Sequence, residues 1–347
     1  MTAQAPDLRS VRARRSFFEN ARRTLATAPL SAWFGMVVIV IYVIAAVFAP
    51  WLAPYGESDV VGKAYQPSGP EFWLGTDQIG RDLLSRLIYG ARNTIGIAFV
   101  TTMLSFAIGG TLGVLTALRR GWLDQLVSRV VDAFLAIPVL IFALMLLAVA
   151  GKSIINLILI LALLDSTRVF RLARATALNV VVMDYVEAAK LRGEKMGWII
   201  FKEVLPNILP PLITEFGLRF CFVFLTIAAL SFLGVGIQPP TADWGSMVAE
   251  SKTLITFPVR TFPWIPAPFY PAIAIALLTV AINFVVDWFL HKTSGLRDEK
   301  LYAARQGRGP TRNPRPQDRG QFGRRLAPDR QGRGPHAEAW RGARPDR

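Results

Sequence analysis

The sequence has very little cysteine and histidine, two side chains that many metal centres and enzyme active sites use. Its 347 residues include one cysteine and two histidines. Cys221 alone cannot form an intramolecular disulfide, and His291 and His336 lie far apart with no acidic or cysteine cluster around them. The chain also lacks the G-x-x-x-x-G-K-[ST] phosphate-binding loop and the H-E-x-x-H zinc motif. We therefore expect no metal site, no cofactor and no catalytic residue in this chain.

Charged residues are scarce as well, which excludes an ordinary water-soluble domain. They make up 18% of the chain, against 52% hydrophobic residues, and the mean hydropathy is +0.38. A helix needs about 20 apolar residues to cross a bilayer core. Six blocks meet or approach that length, the fourth interrupted by Asp165 and Arg168: 31–53, 94–118, 130–150, 154–172, 209–235 and 269–290. The sequence predicts an all-α integral membrane protein with six transmembrane helices, the third kinked at Pro138.

The distribution of lysine and arginine predicts the orientation. The segments before the first block and after the second, fourth and sixth blocks hold 6, 3, 7 and 15 of these residues, whereas the intervening loops hold 4, 1 and 2. Loops on the cytoplasmic side of a membrane carry the excess of positive residues. The alternation therefore predicts that both termini lie in the cytoplasm.

The two ends of the chain are basic. Residues 303–347 consist mainly of Arg, Gly, Pro, Gln and Asp, a composition that buries too little apolar surface to offset the entropy of ordering. Nucleic-acid binding is one interpretation of the arginine run, but the proline and glycine content favours a disordered tail near anionic headgroups, with no nucleic acid as partner. We divide the chain into a cytoplasmic arm (1–30), a first transmembrane helix with an external segment (31–92), a transmembrane core (93–292) with a loop at 178–207, and a cytoplasmic tail (293–347).

The stretch DYVEAAKLRGEKMGWIIFKEVLPN, residues 184–207, is charged although apolar blocks flank it. Asp184 and Glu187 have the spacing of a capping box, and Gly193 suits the left-handed residue that ends a helix. A second short helix should follow and end at Pro206. The expected apolar faces are Leu178, Val182, Tyr185 and Ala189 in the first helix and Trp198, Phe201 and Leu205 in the second. Composition leaves open whether this helix-turn-helix is a docking element or an amphipathic connector resting on headgroups.

The order of residues in this stretch carries a resemblance. EAAKLRG (Glu187–Gly193) is similar to the EAA-x-x-x-Gly signature of permease subunits of binding-protein-dependent ABC importers. After nine intervening residues, EVLP matches the Leu and Pro of the family's Ile-x-Leu-Pro, with Glu203 in place of the isoleucine. The resemblance implies that the loop couples the permease to a cytoplasmic ATPase, and that small side chains let the ATPase approach closely. The coupling residues it implies are Glu187, Ala188, Ala189, Gly193, Leu205 and Pro206.

Two longer stretches narrow the resemblance to one branch of the family. LGTDQIGRDLLSRLIYGAR (Leu74–Arg92) and ALSFLGVGIQPPTADWGSMVAE (Ala229–Glu250) resemble the dipeptide, oligopeptide and nickel permeases. This branch implies a type I importer fold and the C-type subunit of a heterodimeric permease in the bacterial cytoplasmic membrane. It also implies a second permease, two ATPase subunits carrying ATP and Mg, and an external solute-binding protein as partners. Di- or oligopeptides are the implied substrates, with nickel or another small solute as the alternative.

Both stretches also have a plain structural interpretation. Thr76 or Asp77 is expected to cap an interfacial helix. Trp244 is expected in the aromatic belt at the membrane surface. The interfacial helix would place Leu83, Leu84, Leu87 and Ile88 on the membrane and Arg81, Asp82 and Arg86 in water.

Polar residues inside the blocks are costly there and tend to face a bundle interior or water. Arg219, Asn283 and Asp287 are therefore candidates for a translocation path, whereas Asp165 and Arg168 are expected to pair or to reach the end of their helix. A membrane-embedded enzyme or a channel are the competing functions. An enzyme needs catalytic groups on facing helices, and the scarcity of histidine and of membrane carboxylates argues against it. We expect a transport subunit with no chemistry of its own.

Overall fold

The structure of the protein is a computed structural model that describes residues 28–255 and 265–305, the side chains only as far as residue 291. The chain divides into two compact units, 1–292 and 293–347. In the second unit the described residues, 293–305, are helical. The basic arm and the tail predicted to be disordered lie largely outside the described residues.

The described residues are almost entirely helical. Apart from two isolated bridges, Val60 with Arg81 and Thr76 with Asp82, they contain no β structure, and the predicted all-α class is confirmed. A π-helical turn covers Ile199–Val204, and a 3-10 turn covers Lys252–Ile255. The α-helices are α1 (Leu30–Val47), α2 (Ala49–Leu52), α3 (Leu83–Arg119), α4 (Trp122–Leu135), α5 (Val139–Ala150), α6 (Ile154–Val181), α7 (Asp184–Leu191), α8 (Met196–Trp198), α9 (Leu205–Phe232), α10 (Trp244–Ser251) and α11 (Phe269–Arg305).

By length and composition, the described residues contain four helices able to cross a membrane, or five if a bent pair is one span, and not the predicted six. The four are α1, α3, the continuous run Met196–Phe232, and the part of α11 up to His291. The bent pair is α4 and α5, which meet at 93° around Pro138, so the predicted kink is in fact a break. The predicted fourth span lies in α6, whose 28 residues are long enough but carry several charges, among them Asp165 and Arg168.

Glycines bring α3 and α6 into close contact over a long stretch of both helices. A Cβ atom at Gly109 would collide with the carbonyl oxygen of Ser166, and one at Gly113 would collide with Ala173. Such small residues one turn apart let helix backbones approach closely in membranes. Helix α3 is continuous through residues 92 and 93, where the sequence-based division placed a boundary.

Buried charges hold the segment between α2 and α3 to α10. The prediction that the charged residues of an interfacial helix lie in water here is therefore wrong. Asp82, and not Thr76 or Asp77, caps α3, accepting a hydrogen bond from the backbone N–H of Ser85 at 2.8 Å. The side chains of Arg81 and Arg86 are buried, not in water. Arg86 Nη1 donates to Glu250 Oε2 at 2.6 Å and to Asp77 Oδ2 at 2.7 Å, and these ion pairs compensate the cost of burying the guanidinium.

Asp77, in the segment that precedes α3, is the second carboxylate that pairs with Arg81 and Arg86. Burial alone would raise the pKa of its carboxyl, but hydrogen bonds from the backbone N–H groups of Arg81 and Ile79 and from the Arg81 side chain outweigh burial. The pKa of Asp77 is therefore lower than its ordinary value.

Trp244 lies in the core and not in an aromatic belt. It is 1% exposed, and its indole N–H donates to the carbonyl of Leu87 at 2.9 Å. Gly90 makes room for the ring, since a Cβ atom there would be 2.6 Å from it. Edge-on contacts with Tyr42 and Phe224 complete the packing, so a short helix is enough to bury this large side chain between α1, α3 and α9.

Candidate functional site

The predicted coupling loop lies between α6 and α9, and its first helix begins without the predicted capping box. Met183 is the N-cap of α7, and no side chain caps it. The carbonyl of Met183 accepts from the backbone N–H groups of Val186 (2.9 Å) and Glu187 (3.2 Å). The predicted capping box is therefore wrong, because the N-cap is Met183, one residue before Asp184. Asp184 and Glu187 lie in the first turn of α7, where negative charge is favourable.

The predicted glycine turn is confirmed. Gly193 has φ +77°, its N–H donates to the carbonyl of Lys190 at 3.0 Å, and the N–H of Glu194 donates to the carbonyl of Ala189 at 3.2 Å. These two bonds form a Schellman motif. A Cβ atom at Gly193 would meet nothing within 4 Å, so only backbone conformation restricts this position.

The second element does not end at Pro206, which is a correction. Helix α8, the π-helical turn Ile199–Val204 and α9 form one run, and Pro206, Pro210 and Pro211 lie inside α9. Pro206 is in the first turn of α9, where a missing N–H costs least. In the π-helical turn just before it, the backbone hydrogen bonds join residues five apart and not four, so the bonds near Pro206 differ from those of a regular α-helix.

The faces of the loop are also rotated from those predicted. Ile199 and Val204 are buried, whereas Trp198 and Phe201 are exposed, Phe201 by 67%. The five-residue interval between the two buried positions is that of the π-helical turn, which the 3.6-residue period misses. On α7 the predicted Ala189 is buried together with Val186, whereas Tyr185 and the preceding Val182, also predicted to be on the apolar face, are exposed. Ala189 and Val186 pack in one cluster with Val114, Ala117, Ala173, Ala177, Val181, Ile199, Val204, Ile208 and Leu212.

The structure places the predicted coupling residues in three groups by their burial. Ala189 is fully buried, whereas Ala188 and Leu205 are half-buried. Glu187, Gly193 and Pro206 are exposed. Ala189 therefore holds α7 against α6 and α9, while the exposed members are open to a partner. The outer surface of the loop also carries apolar side chains, with Leu191 exposed by 83%.

Of the predicted path residues, Arg219 belongs to a polar cluster inside the helices. Its Nε lies 2.7 Å from Glu215 Oε1, and its Nη1 lies 3.8 Å from Asp165 Oδ1. Ser105, fully buried on α3, donates to Asp165 Oδ2 at 3.2 Å. The predicted pairing of Asp165 with Arg168 is thus corrected: Asp165 faces α9, and Arg168 is exposed on another side of α6.

The other two path candidates lie elsewhere. Asn283 is half-buried and Asp287 is exposed on α11, and no ion pair between Arg219 and Asp287 forms in the part of the chain that the structure describes. Sequence reasoning missed Glu215 and Ser105. The i, i+4 spacing of Glu215 and Arg219 on one helix was a usable signal. Nothing in the sequence joins Ser105 to Asp165 across sixty positions.

A metal centre has no support within residues 28–255 and 265–305. These residues hold no group of three or more His, Cys, Asp or Glu side chains that could bind an ion.

Two family descriptions match the chain. Residues 109–292 match the family described as binding-protein-dependent transport system inner membrane component. Residues 16–67 match the N-terminal TM domain of oligopeptide transport permease C. Together the matches cover α1, α2, the end of α3 and the helices from α4 to α10, with the loop, and they reach Lys292 in α11.

Relatives with similar sequences span most of the chain. The dipeptide transport system permease protein DppC of Alkalihalophilus pseudofirmus is 34% identical over 76% of this chain and 83% of its own. The di/tripeptide permease protein DppC of Pseudomonas aeruginosa is 36% identical over 76% of this chain and 85% of its own. The glutathione transport system permease protein GsiD of Pectobacterium atrosepticum is 30% identical over 86% of this chain and 95% of its own. Among solved structures, the inward-facing MetNI methionine ABC transporter aligns with TM-score 0.48 and 20% identity, over 59% of this chain and 94% of that one.

Proposed function

The chain belongs to the family of binding-protein-dependent transport system inner membrane components, and we propose that it is the C-type permease of an ATP-driven peptide importer. It would form the membrane path with a second permease, and two ATPase subunits would bind ATP and Mg and hydrolyse ATP. An external solute-binding protein would deliver the substrate. This chain would carry out no catalytic step itself.

A peptide is the substrate class that the relatives support best. The three relatives described above are named for dipeptide, di/tripeptide and glutathione transport, and none of these names refers to nickel. The mid-membrane cluster of Asp165, Glu215 and Arg219 also suits a charged, hydrogen-bonding solute better than an apolar one.

The loop supports coupling to an ATPase, and its geometry is the observation that carries the proposal. Its inner face, with Val186 and Ala189, is part of the helix core, so a force on the loop reaches α6 and α9 directly. Its outer face presents Glu187 and the Gly193 turn. Glu187 suits a charge-assisted contact with a basic group of the partner. Ala188 is half-buried, so the partner ATPase must approach α7 closely to contact it.

The orientation follows from the same assignment. An ATPase lies in the cytoplasm, so the loop would be cytoplasmic, and the lysine and arginine counts support a cytoplasmic position for both termini. The segment between α2 and α3, together with α10, would then face the outside. The six-span topology requires that α6 and the bent pair α4–α5 each cross once.

Co-purification from detergent tests the proposal. A tagged copy of this chain should retain a second permease and two ATPases, and the purified complex in proteoliposomes should take up a dipeptide only with ATP and a binding protein present. A chain that purifies alone and transports nothing when combined with candidate partners would contradict the proposal. Nickel uptake without peptide uptake would favour the alternative substrate.

A further inference from the structure

Helix α9 carries a polar stripe in the middle of its length, defined by Glu215, Arg219, Phe222 and Thr226. The spacing of four, three and four residues places all four on one face of the helix. The helix runs from Leu205 to Phe232, so Arg219 lies near its midpoint, and Glu215 and Thr226 lie within about 11 Å of it. The stripe is therefore at the depth of the apolar bilayer core.

This stripe is only partly covered by the rest of the chain. The side chain of Glu215 is 23% exposed and that of Arg219 is 14% exposed, and Phe222 is 51% exposed. Charged side chains at this depth face water or protein and not lipid, because lipid offers no compensating partner. The exposed side of the stripe therefore borders an aqueous space or another subunit.

Glu215 keeps one carboxylate oxygen for a further partner. Arg219 lies between two carboxylates, those of Glu215 and Asp165. Arg168, on the next turn of α6, is exposed and lines a different recess, with Phe134 and Thr167. Only Oε1 of Glu215 contacts Arg219, and Oε2 has no hydrogen bond to a described residue. A carboxylate oxygen without a hydrogen bond in an apolar surrounding favours a cationic donor next to it.

We infer that the polar stripe lines the translocation path and that Glu215 accepts the α-ammonium group of a peptide in transit. This inference rests on the proposed peptide import and adds the part of the substrate that the membrane site binds. Glu215 Oε2 takes one ammonium N–H, and the exposed ring of Phe222 offers its π face to the same cation, as it already does to Arg219, whose Cζ lies 4.8 Å from the ring centroid. Asp165 holds Arg219 in place from α6, and Ser105 holds Asp165.

Charged thiol reagents test the inference in the complete transporter, in proteoliposomes, with Cys221 replaced by alanine. Phe222→Cys places a thiol on the stripe, and Ile213→Cys is the matched control, because Ile213 is also 51% exposed and lies on the opposite face of α9, nine residues away. The cysteine at position 222 should react with a trimethylammonium methanethiosulfonate about tenfold faster than with a sulfonate one, reflecting local negative charge. The cysteine at position 213 should react slowly with both.

Glu215→Gln in the Phe222→Cys background should abolish the preference for the cationic reagent, and Glu215→Asp should keep it. Alanyl-alanine supplied with ATP and the binding protein should slow modification at position 222, whereas N-acetyl-alanyl-alanine should not. Equal reactivity at positions 222 and 213, no preference for the cationic reagent, or equal protection by the two peptides would each overturn the inference. Peptide uptake by the cysteine-free transporter, measured separately, reports on the proposed function: its absence would overturn that function even if the thiol reagents showed the expected charge preference.

Discussion

Arg86 of α3 and Glu250 of α10, 164 positions apart in the chain, are joined by a hydrogen bond of 2.6 Å between Nη1 and Oε2. Arg81 donates to the same carboxylate oxygen at 3.1 Å. Glu250 therefore ties α10, and with it the buried Trp244, to the start of α3.

Removal of Glu250 should destabilise the protein. Glu250→Ala leaves two buried guanidinium groups with Asp77 as the acidic partner, and breaking such a buried pair costs about 3 kcal/mol. We expect a clear fall in the midpoint of thermal unfolding in detergent. Glu71→Ala, at an exposed carboxylate in the same segment, is the control and should leave the midpoint unchanged. Equal midpoints for the two variants would show that the pair contributes nothing.

Acid should weaken the same region through Asp77. Because the pKa of Asp77 is lowered in the folded protein, its contribution to stability is present above the ordinary aspartate pKa of about 3.9. That contribution is lost as the pH falls through this value towards the lower folded pKa. Asp77→Asn should thus be less stable than the unaltered protein at pH 7, with the difference shrinking below about pH 4. A difference that stayed constant from pH 7 to pH 3 would contradict this assignment.

Gly193 should tolerate residues according to backbone conformation and not size. Gly193→Val forces a β-branched residue to φ +77°, at a cost of about 1–2 kcal/mol, and should lower both uptake and peptide-stimulated ATP hydrolysis. Gly193→Asn should retain most activity, because asparagine adopts this conformation more readily and no atom lies within 4 Å to obstruct it. Equal activity for the two variants would remove the turn from the coupling mechanism.

Arginine substitutions at Ala188 and at Ala189 should have different effects, one on ATPase binding and the other on folding. Ala189→Arg places a charge in a fully buried position and should reduce the amount of folded protein. Ala188→Arg, at a half-buried position, should leave folding intact and weaken ATPase co-purification. Ser68→Arg, in the segment between α2 and α3, is the control and should affect neither. Normal ATPase retention by Ala188→Arg would mean that the partner does not approach this side of α7.

Reporter fusions should establish the topology. Fusions after Gly121 and after Lys195 should give a cytoplasmic signal, and one after Gly69 should give an external signal. The fusion after Lys195 is the most informative, because α6 carries more charges than an ordinary span. An external signal there would mean that α6 and the bent pair α4–α5 do not both cross the membrane.

Local features of this protein could be predicted from the sequence, because they depend on residues a few positions apart. The apolar blocks became helices, Pro138 interrupted one of them, and Gly193 adopted the left-handed turn. The EAA-x-x-x-Gly spacing identified the family that the comparisons then showed. In each case the signal and the structure it determines lie within one or two helical turns.

The faces of the helices, and the partners of charges on different helices, were decided by the tertiary structure alone. In a soluble helix the apolar face is the buried one, but a membrane helix is apolar both toward lipid and toward its neighbours, so hydropathy does not show which face packs. The π-helical turn before α9 rotated Trp198 and Phe201 outward, and Arg86 found Glu250, as Asp165 found Arg219, only when distant helices met. A buried charge in this chain is stabilised by the opposite charge that helix packing brings close to it, and helix packing depends on the tertiary structure.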